Sequence, residues 1–221
     1  MTAWLVDLGI VPYEEAWTLQ RSLVELRAGD LIPDTVLLLE HPHVITLGRR
    51  GRREDVFAPD IPVYEVERGG EATYHGPGQL VGYPILKLQD RLDVRKLVTD
   101  LEEVLIRGSR AFDVAAGRNE AQRGVWVGPR KLGSIGLAIH NNVTYHGFAH
   151  NVSTDLSCFE LLRPCGLPSG TMTSMEEQLG KGVDFEAFRE RVVRDFESVF
   201  HVAFDRVKRE QLEPVRAAAT D

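Results

Sequence analysis

The sequence predicts a single mixed domain, a β-sheet with packed helices. Two segments, 93–107 and 184–200, carry apolar residues at the spacing of one helix face. The chain between them has the pattern of β structure broken by glycine and proline. Helices and strands alternate irregularly, and the 221 residues, 43% of them hydrophobic, are enough for one core. This composition excludes a disordered chain and a small disulfide-stapled protein.

The N-terminal part of the chain is predicted to contain two strands separated by a helix. Apolar runs over 3–8 and 34–40 indicate the strands. Pro12 stands before a helix over 13–27, and acidic residues in its first turn suit the positive end of the helix dipole.

The remaining elements follow from caps, turns and apolar runs. Asp184 is the predicted N-cap of the helix that ends at 200, and Asn141 with Asn142 predicts a tight hairpin. We assign residues 1–206 to one catalytic domain and 207–221, which lacks an apolar face, to a loosely packed C-terminal tail. The predicted strands of this part are 63–66, 79–86, 123–127, 131–140 and 143–152.

The net charge of the chain excludes some classes of binding partner. The chain carries 26 basic and 33 acidic side chains, a net charge of −7. Since nucleic acids and many membrane surfaces are anionic, neither is an expected partner. No apolar run approaches the length of a membrane span, and the start lacks the basic region of a secretory signal. We therefore expect a soluble, cytoplasmic protein.

One basic cluster stands out from this acidic background. Arg49–Arg53 contains four arginines in five residues. The run is either a solvated loop or a docking patch for an acidic partner. The sequence leaves both interpretations open.

The segment Arg68–Ile85, RGGEATYHGPGQLVGYPI, is unusually rich in glycine for β structure. Its glycines serve either the turns of a hairpin or the close approach of backbone to another group. The polar side chains among them, such as Arg68 and His75, favour the second interpretation for the segment as a whole. Its spacing matches neither a Walker loop nor a GxGxxG motif, which disfavours a nucleotide site of those types.

Lys131 begins an otherwise apolar strand, GPRKLGSIGLAI. It is either a guard on an edge strand or a buried amine that can exchange protons near neutral pH. Of the two cysteines, Cys158 has the surroundings of a packed side chain, whereas Cys165 lies between proline and glycine in a predicted turn that can expose its thiol. A nucleophilic thiolate needs a nearby cation or base, for which Lys131 and the histidines are candidates.

The histidines do not predict a metal site. His41 and His43 flank a proline, which is typical of a turn. His146 and His150 are four residues apart, a spacing that places both on one face of a strand, where hydrogen bonding is favoured. The sequence has no HExxH motif or its inverse, so no bound metal is expected.

Four segments in this order resemble the lipoate-biosynthesis octanoyltransferases, which move an octanoyl group from acyl carrier protein to a lysine of a lipoyl domain. The resemblance runs from about Val6 to Leu179. It implies an α+β fold related to the catalytic domains of biotin and lipoate protein ligases. The segments that carry it are RGGEATYHGPGQLVGYPI, GPRKLGSIGLAI, HGFAHNV and FELLRPCG.

The resemblance also implies roles for individual residues. Cys165 is expected to accept the acyl group as a thioester, with Lys131 as the general acid and base beside it. The expected substrate-binding residues, which line the acyl pocket or supply backbone donors, are Arg68, Gly69, Gly70, Glu71, Ala72, Thr73, Tyr74, His75, Ser134, Ile135, Gly136, Gly147, Phe148 and Ala149.

The implied partners are octanoyl-acyl carrier protein as donor and, as acceptors, the lipoyl domains of 2-oxoacid dehydrogenases and the glycine cleavage H protein. No cofactor is expected, because attack of an amine on a thioester runs downhill without a nucleotide. The alternatives are an ATP-dependent lipoate or biotin protein ligase of the same fold, a non-catalytic module that binds these carriers, and a cysteine hydrolase.

Overall fold

The computed structural model describes residues 2–89, 93–163 and 170–212, and it contains two β-sheets. The larger has seven strands in the order β10-β1-β2-β6-β9-β8-β7, and the smaller has three in the order β4-β3-β5. The strands are β1 (Thr2–Ile10), β2 (Thr35–Glu40), β3 (Val44–Leu47), β4 (Val63–Glu65), β5 (Ala72–His75), β6 (Gln79–Ile85), β7 (Val125–Val127), β8 (Arg130–His140), β9 (Val143–Asn151) and β10 (Ala203–Arg206). The helices are α1 (Tyr13–Ala28), α2 (Asp93–Arg110), α3 (Met175–Leu179) and α4 (Phe185–Phe200).

The large sheet is mixed and is covered by helices on both faces. β1 pairs in parallel with β2 and β10, while β2, β6, β9 and β8 are successively antiparallel. Alternate residues of β2 face opposite ways, so Leu37 and Leu39 pack toward α1 while Val36 and Leu38 pack toward α2 and α4. Burial on both faces explains the continuous apolar run of this strand.

The elements predicted from local sequence signals are present in the structure. The predicted helices 13–27, 93–107 and 184–200 are confirmed as α1, α2 and α4. Asp184 accepts a hydrogen bond from the backbone N–H of Ala187 at 3.0 Å, which confirms the cap. Asn141 and Asn142 have φ of 49° and 61°, the left-handed conformation of a tight hairpin between β8 and β9.

Of the small sheet only β4 was predicted, as the strand over 63–66, whereas β3 and β5 were not. β3 and β5 are four residues each, and each pairs with a segment distant in sequence. Such short strands have too few residues for alternation to be visible. Cys158 is half-buried against the core of this sheet, which confirms its predicted packing role.

The prediction of a loosely packed tail from 207 onward is wrong for its first six residues. The backbone N–H of Val207 donates to the Leu5 carbonyl at 2.9 Å, and Leu212 is buried in the cluster beneath α1. A single leucine can anchor a segment without any periodic pattern, so the sequence offered no apolar face to detect. Residues 213–221 lie outside the described part of the chain.

Within the described ranges, no helix is both long enough and apolar enough to cross a membrane.

His150 on β9 is buried on the sheet face that packs against α2 and α4. Its ring stacks on Phe188 at 5.1 Å between centroids, and its Nε2 lies 3.1 Å from Ser109 Oγ. Ser109 donates its own proton to the Leu105 carbonyl, so His150 donates from Nε2, and within the described residues Nδ1 has no partner. Burial lowers the pKa of His150 to about 3.

We expect His150→Leu to weaken the dependence of stability on acid pH. The unfolded chain binds a proton at this histidine near its ordinary pKa of about 6.5, whereas the folded protein binds one only near pH 3, so stability falls as pH falls between these values. This group should remove about 1.4 kcal/mol of unfolding free energy per pH unit inside the window. Urea unfolding at several pH values measures the slope, with the exposed His140→Leu as control. An unchanged slope would contradict a neutral His150.

Candidate active site

A cavity lies between the β8–β9 hairpin of the large sheet and residues 68–75, which lead into the small sheet. Its volume is about 50 Å³, which is room for a few water molecules. This volume is smaller than that of an eight-carbon chain. The cavity brings together these predicted site residues: Arg68, Gly69, Gly70, Thr73, His75, Lys131, Ser134, Ile135, Gly136, Gly147, Phe148 and Ala149.

Glycines allow the turn at 68–70 to lie directly against β8. The N–H of Gly69 donates to the Leu137 carbonyl at 3.0 Å. A Cβ on Gly136 would lie 3.0 Å from the Gly69 carbonyl oxygen, and Gly70 has a φ of +90°. The close approach that the glycine-rich sequence predicted is thus an approach of backbone to backbone, which forms one wall of the cavity.

Arg68 is held in this wall by the small sheet. Its Nη2 donates to the carbonyl and to Oγ1 of Thr46, at 2.7 and 2.8 Å. The guanidinium is largely buried and supplies a fixed positive charge to the cavity.

Three predicted substrate-binding residues lie elsewhere. Successive side chains of β5 point to opposite faces, so Thr73 and His75 line the cavity while Ala72 and Tyr74 enter the core of the small sheet. Glu71 precedes the strand, and its Oε1 lies 3.8 Å from Arg50 Nε. The resemblance covers the whole segment, but the geometry places only alternate residues at the cavity.

His75 is held by a chain of hydrogen bonds. Its Nδ1 donates to Gln79 Oε1 at 2.8 Å, and Gln79 Nε2 donates to Asn151 Oδ1 at 2.9 Å. Asn151 Nδ2 continues the chain to the Thr173 carbonyl at 2.9 Å. Burial, together with His41 and Arg68, holds the pKa of His75 well below its ordinary value, so the ring is neutral and its orientation is set by Gln79.

Lys131 is a buried amine and not an edge guard. It is 5% exposed, lines the cavity, and has its Nζ 5.4 Å from the ring centroid of Trp126. Its backbone N–H donates to the Thr171 carbonyl at 2.7 Å, and its carbonyl accepts from Thr173 N–H at 2.9 Å. β8 thus lies between β9 and β7, and at Lys131 it also pairs with residues 171–173. Cys165 lies outside the described residues.

The polar end of the cavity contains three residues that the sequence did not single out as site residues: Tyr13, Tyr83 and His146. Tyr13 Oη lies 3.4 Å from His146 Nδ1. Tyr83 donates its hydroxyl proton to His41 Nε2 at 2.7 Å, because His41 Nδ1 must donate to a backbone carbonyl. Alternation along β6 could have indicated Tyr83, whereas nothing in the sequence pointed to Tyr13.

The prediction that His146 and His150 share a face is wrong. His146 has a φ of +54°, a left-handed conformation that interrupts the alternation of β9 and turns its side chain toward α1. Its backbone N–H donates to Gln20 Oε1 at 2.7 Å. Burial, then the charge of Arg68, lowers the pKa of His146 to about 4.

These groups give the cavity a definite electrostatic character. Burial lowers the pKa of His41 to about 4 and raises the pKa values of Tyr13 and Tyr83, so all three are uncharged at neutral pH. No carboxylate lines the cavity within the described ranges, while Arg68 and Lys131 do. Fixed positive charge in a buried site stabilises negative charge that develops on a carbonyl oxygen. Among the described residues, no group of three His, Cys, Asp or Glu side chains is placed to hold a metal ion.

Comparisons with known proteins show the family of the chain. Residues 12–197 match the family model "Lipoyl protein ligase A/B catalytic domain". The chain is 48% identical over 196 residues to a probable octanoyltransferase of Pyrobaculum calidifontis, covering 88% of this chain and 84% of that protein. It is 46% identical over 194 residues to an octanoyltransferase of Syntrophotalea carbinolica, covering 87% and 92%.

Solved structures confirm the predicted relationship of the fold. A lipoate-protein ligase A bound with ATP superposes with a TM-score of 0.80 at 19% identity, covering 99% of this chain and 94% of that one. At this identity the likeness concerns the fold alone. The family match and the two relatives together show that the chain belongs to the lipoyl protein ligase A/B family and, within it, to the octanoyltransferases, which are acyltransferases.

Proposed function

We propose that the protein transfers an octanoyl group from octanoyl-acyl carrier protein to the ε-amine of a lysine on a lipoyl domain, through a thioester on Cys165. The observation that carries the proposal is the buried amine of Lys131, which lies in a cavity with a second fixed cation and an apolar wall. The names of the relatives support octanoyl as the acyl group.

In the first step the Cys165 thiolate attacks the thioester carbonyl of the donor. The bond between the carbonyl carbon and the carrier sulfur breaks, and the carrier thiolate takes a proton from the Lys131 ammonium. In the second step the acceptor amine attacks the new thioester. Its proton passes to the neutral Lys131 amine, and the Cys165 thiolate leaves as the amide forms.

Covalent continuity supports the pairing of these two residues. Five residues separate Cys165 from Thr171, whose carbonyl accepts the backbone N–H of Lys131. The apolar wall at Ile135 and Phe148 supports acyl binding, because each methylene removed from water contributes about 0.8 kcal/mol.

Mass spectrometry tests the covalent step. Protein incubated with octanoyl-acyl carrier protein should gain one octanoyl group on the peptide that contains Cys165, and hydroxylamine should release it. The adduct should disappear in Cys165→Ala and persist in the matched control Cys158→Ala. An adduct on another residue, or full transfer activity of Cys165→Ala, would contradict the proposal.

An ATP-dependent ligase is the second candidate, because a ligase bound with ATP shares the fold. Such an enzyme would activate free octanoate as an adenylate and would not need Cys165. Transfer from octanoyl-acyl carrier protein without nucleotide favours the transferase. Transfer from free octanoate that requires ATP favours the ligase.

The arginine run, Arg49–Arg53, supports a docking role for an acidic donor. Arg52 pairs with Glu54 at 2.8 Å, whereas Arg49 and Arg53 are exposed and form no ion pair within the described part of the chain. The loop that follows is tied to the segment before Cys165, because the Arg163 N–H donates to the Asp55 carbonyl at 2.9 Å.

Reversing both charges, Arg49→Glu with Arg53→Glu, should raise the apparent KM for the carrier protein by about tenfold at low ionic strength. The effect should shrink as salt is added, because exposed charges are screened. Steady-state transfer at two salt concentrations measures it. Lys181→Glu with Arg194→Glu makes the same change in net charge at other exposed positions and is the control. An equal KM for both double variants would exclude the docking role.

A further inference from the structure

The methylene chain of Lys131 lies against two residues that the catalytic assignment does not use. The amine is within cation–π distance of the Trp126 ring, whose centroid is 5.4 Å from Nζ. A Cβ placed on Gly124 would lie 3.0 Å from Lys131 Cε. Trp126 and Gly124 therefore contact the amine end of the side chain from two directions, and we call these two residues the Lys131 seat.

The conformation of Gly124 suits only glycine. Its φ is +120°, and a Cβ there would lie 2.4 Å from the carbonyl oxygen of Gly133, which is backbone of β8 and cannot move independently. Any side chain at 124 would thus displace either β8 or Lys131.

A buried carboxylate holds Gly124 in this position. Glu102 on α2 is 1% exposed, and its Oε1 accepts the Gly124 N–H at 2.9 Å. The charge of Glu102 is balanced by Arg118, whose Nε donates to Oε2 at 3.2 Å. The buried carboxylate thereby links the main helix α2 to the turn before β7.

Trp126 is buried, and its backbone is held by the sheet and by Gly117. It is 4% exposed and lies opposite Lys131 in the register of β7 and β8. Its backbone exchanges two hydrogen bonds with Gly117, at 2.7 and 2.9 Å. Both parts of the seat consequently have contacts besides those with Lys131.

We propose that Gly124 and Trp126 are positioning residues for acyl transfer, which hold the Lys131 amine in the cavity, and that Glu102 acts through Gly124. The inference rests on the proposed function, because it assumes that the amine of Lys131 stabilises the Cys165 thiolate. It assigns a role in the reaction to α2 and to the turn before β7, none of whose residues is needed to contact substrate.

Alkylation of Cys165 by iodoacetamide at neutral pH tests the inference without any acyl substrate. The rate reports thiolate content, and peptide mapping separates Cys165 from Cys158. Gly124→Ala and Trp126→Phe should each lower the rate by about tenfold. In a Lys131→Met background the same changes should alter the rate by less than about twofold, because no amine is left to displace.

Gly117→Ala is the matched control, since a Cβ at Gly117 meets no atom within 4 Å. It should leave the alkylation rate unchanged in both backgrounds. If thermal denaturation shows that Gly124→Ala does not fold, Trp126→Phe decides the test. Equal losses in both backgrounds, or no loss with Lys131 present, would overturn the inference.

Glu102 provides a rescue experiment. Glu102→Ala removes the acceptor for the Gly124 N–H and should slow alkylation as Gly124→Ala does. Glu102→Gln retains a carbonyl oxygen at that position and should recover most of the rate. Equal rates for the two variants would overturn the role of Glu102. A normal alkylation rate for Lys131→Met would overturn the inference together with the proposed role of Lys131. If Lys131→Met slows alkylation but the variants of Gly124 and Trp126 do not, the inference alone is overturned.

Discussion

Lys131→Met is expected to slow acyl transfer by a factor of about 10² to 10⁴, the usual contribution of a general acid and base. Both proposed steps need this amine, first as an ammonium that protonates the departing thiolate and then as a neutral base for the attacking amine. Methionine retains the length and flexibility of the lysine stem but can neither donate nor accept a proton.

The same substitution should leave the protein as stable as the wild type or more so. Lys131 is 5% exposed, and within the described ranges its amine has no carboxylate at ion-pair distance. A buried amine without such a partner costs desolvation free energy, which an apolar side chain of similar volume does not.

Single-turnover transfer and urea unfolding of the same samples test both expectations. Lys181→Met, at an exposed position, is the control for loss of one positive charge. If the activity of Lys131→Met falls only in proportion to the fraction of unfolded protein, Lys131 has no catalytic role. Normal transfer by folded Lys131→Met would lead to the same conclusion.

Gly147→Ala is expected to destabilise the protein by about 3 kcal/mol, near the upper end of the range for overpacking a core. A Cβ on Gly147 would lie 2.1 Å from the carbonyl oxygen of Gly82 and 2.6 Å from Pro84 Cδ. Both obstacles belong to the backbone or ring of β6, which is paired on both sides, so neither can move without breaking the sheet.

This result would distinguish a structural role of the HGFAHNV segment from a role in substrate binding. Gly147 lines the cavity, and the family resemblance implies a substrate contact there. The geometry adds a structural requirement that holds even without substrate. Urea unfolding in the absence of ligands measures it, with Gly117→Ala as a control that meets open space. A stable Gly147→Ala protein would refute the structural requirement.

Local chemistry explains which elements the sequence predicted well. The three long helices carry their apolar face at a 3.6-residue period, and the cap at Asp184 and the two-asparagine turn act within four residues of chain. These signals are complete in the sequence because the atoms that interact are neighbours along it. The motif segments likewise identified most of the residues that line the cavity.

The small sheet and the composition of the cavity wall depend on contacts between distant segments. β3 pairs with β4 and β5 across long stretches of chain, and only that pairing decides that Thr73 and His75 face the cavity while Ala72 and Tyr74 do not. Tyr13 enters the site because α1 packs against β9.

By itself, the sequence determined the fold class, the long helices, the β8–β9 hairpin and the segments that form the site, because periodicity, caps and turn residues act over short distances. Only the tertiary structure decided whether Lys131 is a surface guard or a buried amine, since the strand alone permits both. Gly124 and Trp126 cover Lys131 only because β7 folds back onto β8, and Thr171 comes from a segment far along the chain. Burial is a property of what packs against a residue, and one strand's sequence does not contain its neighbours.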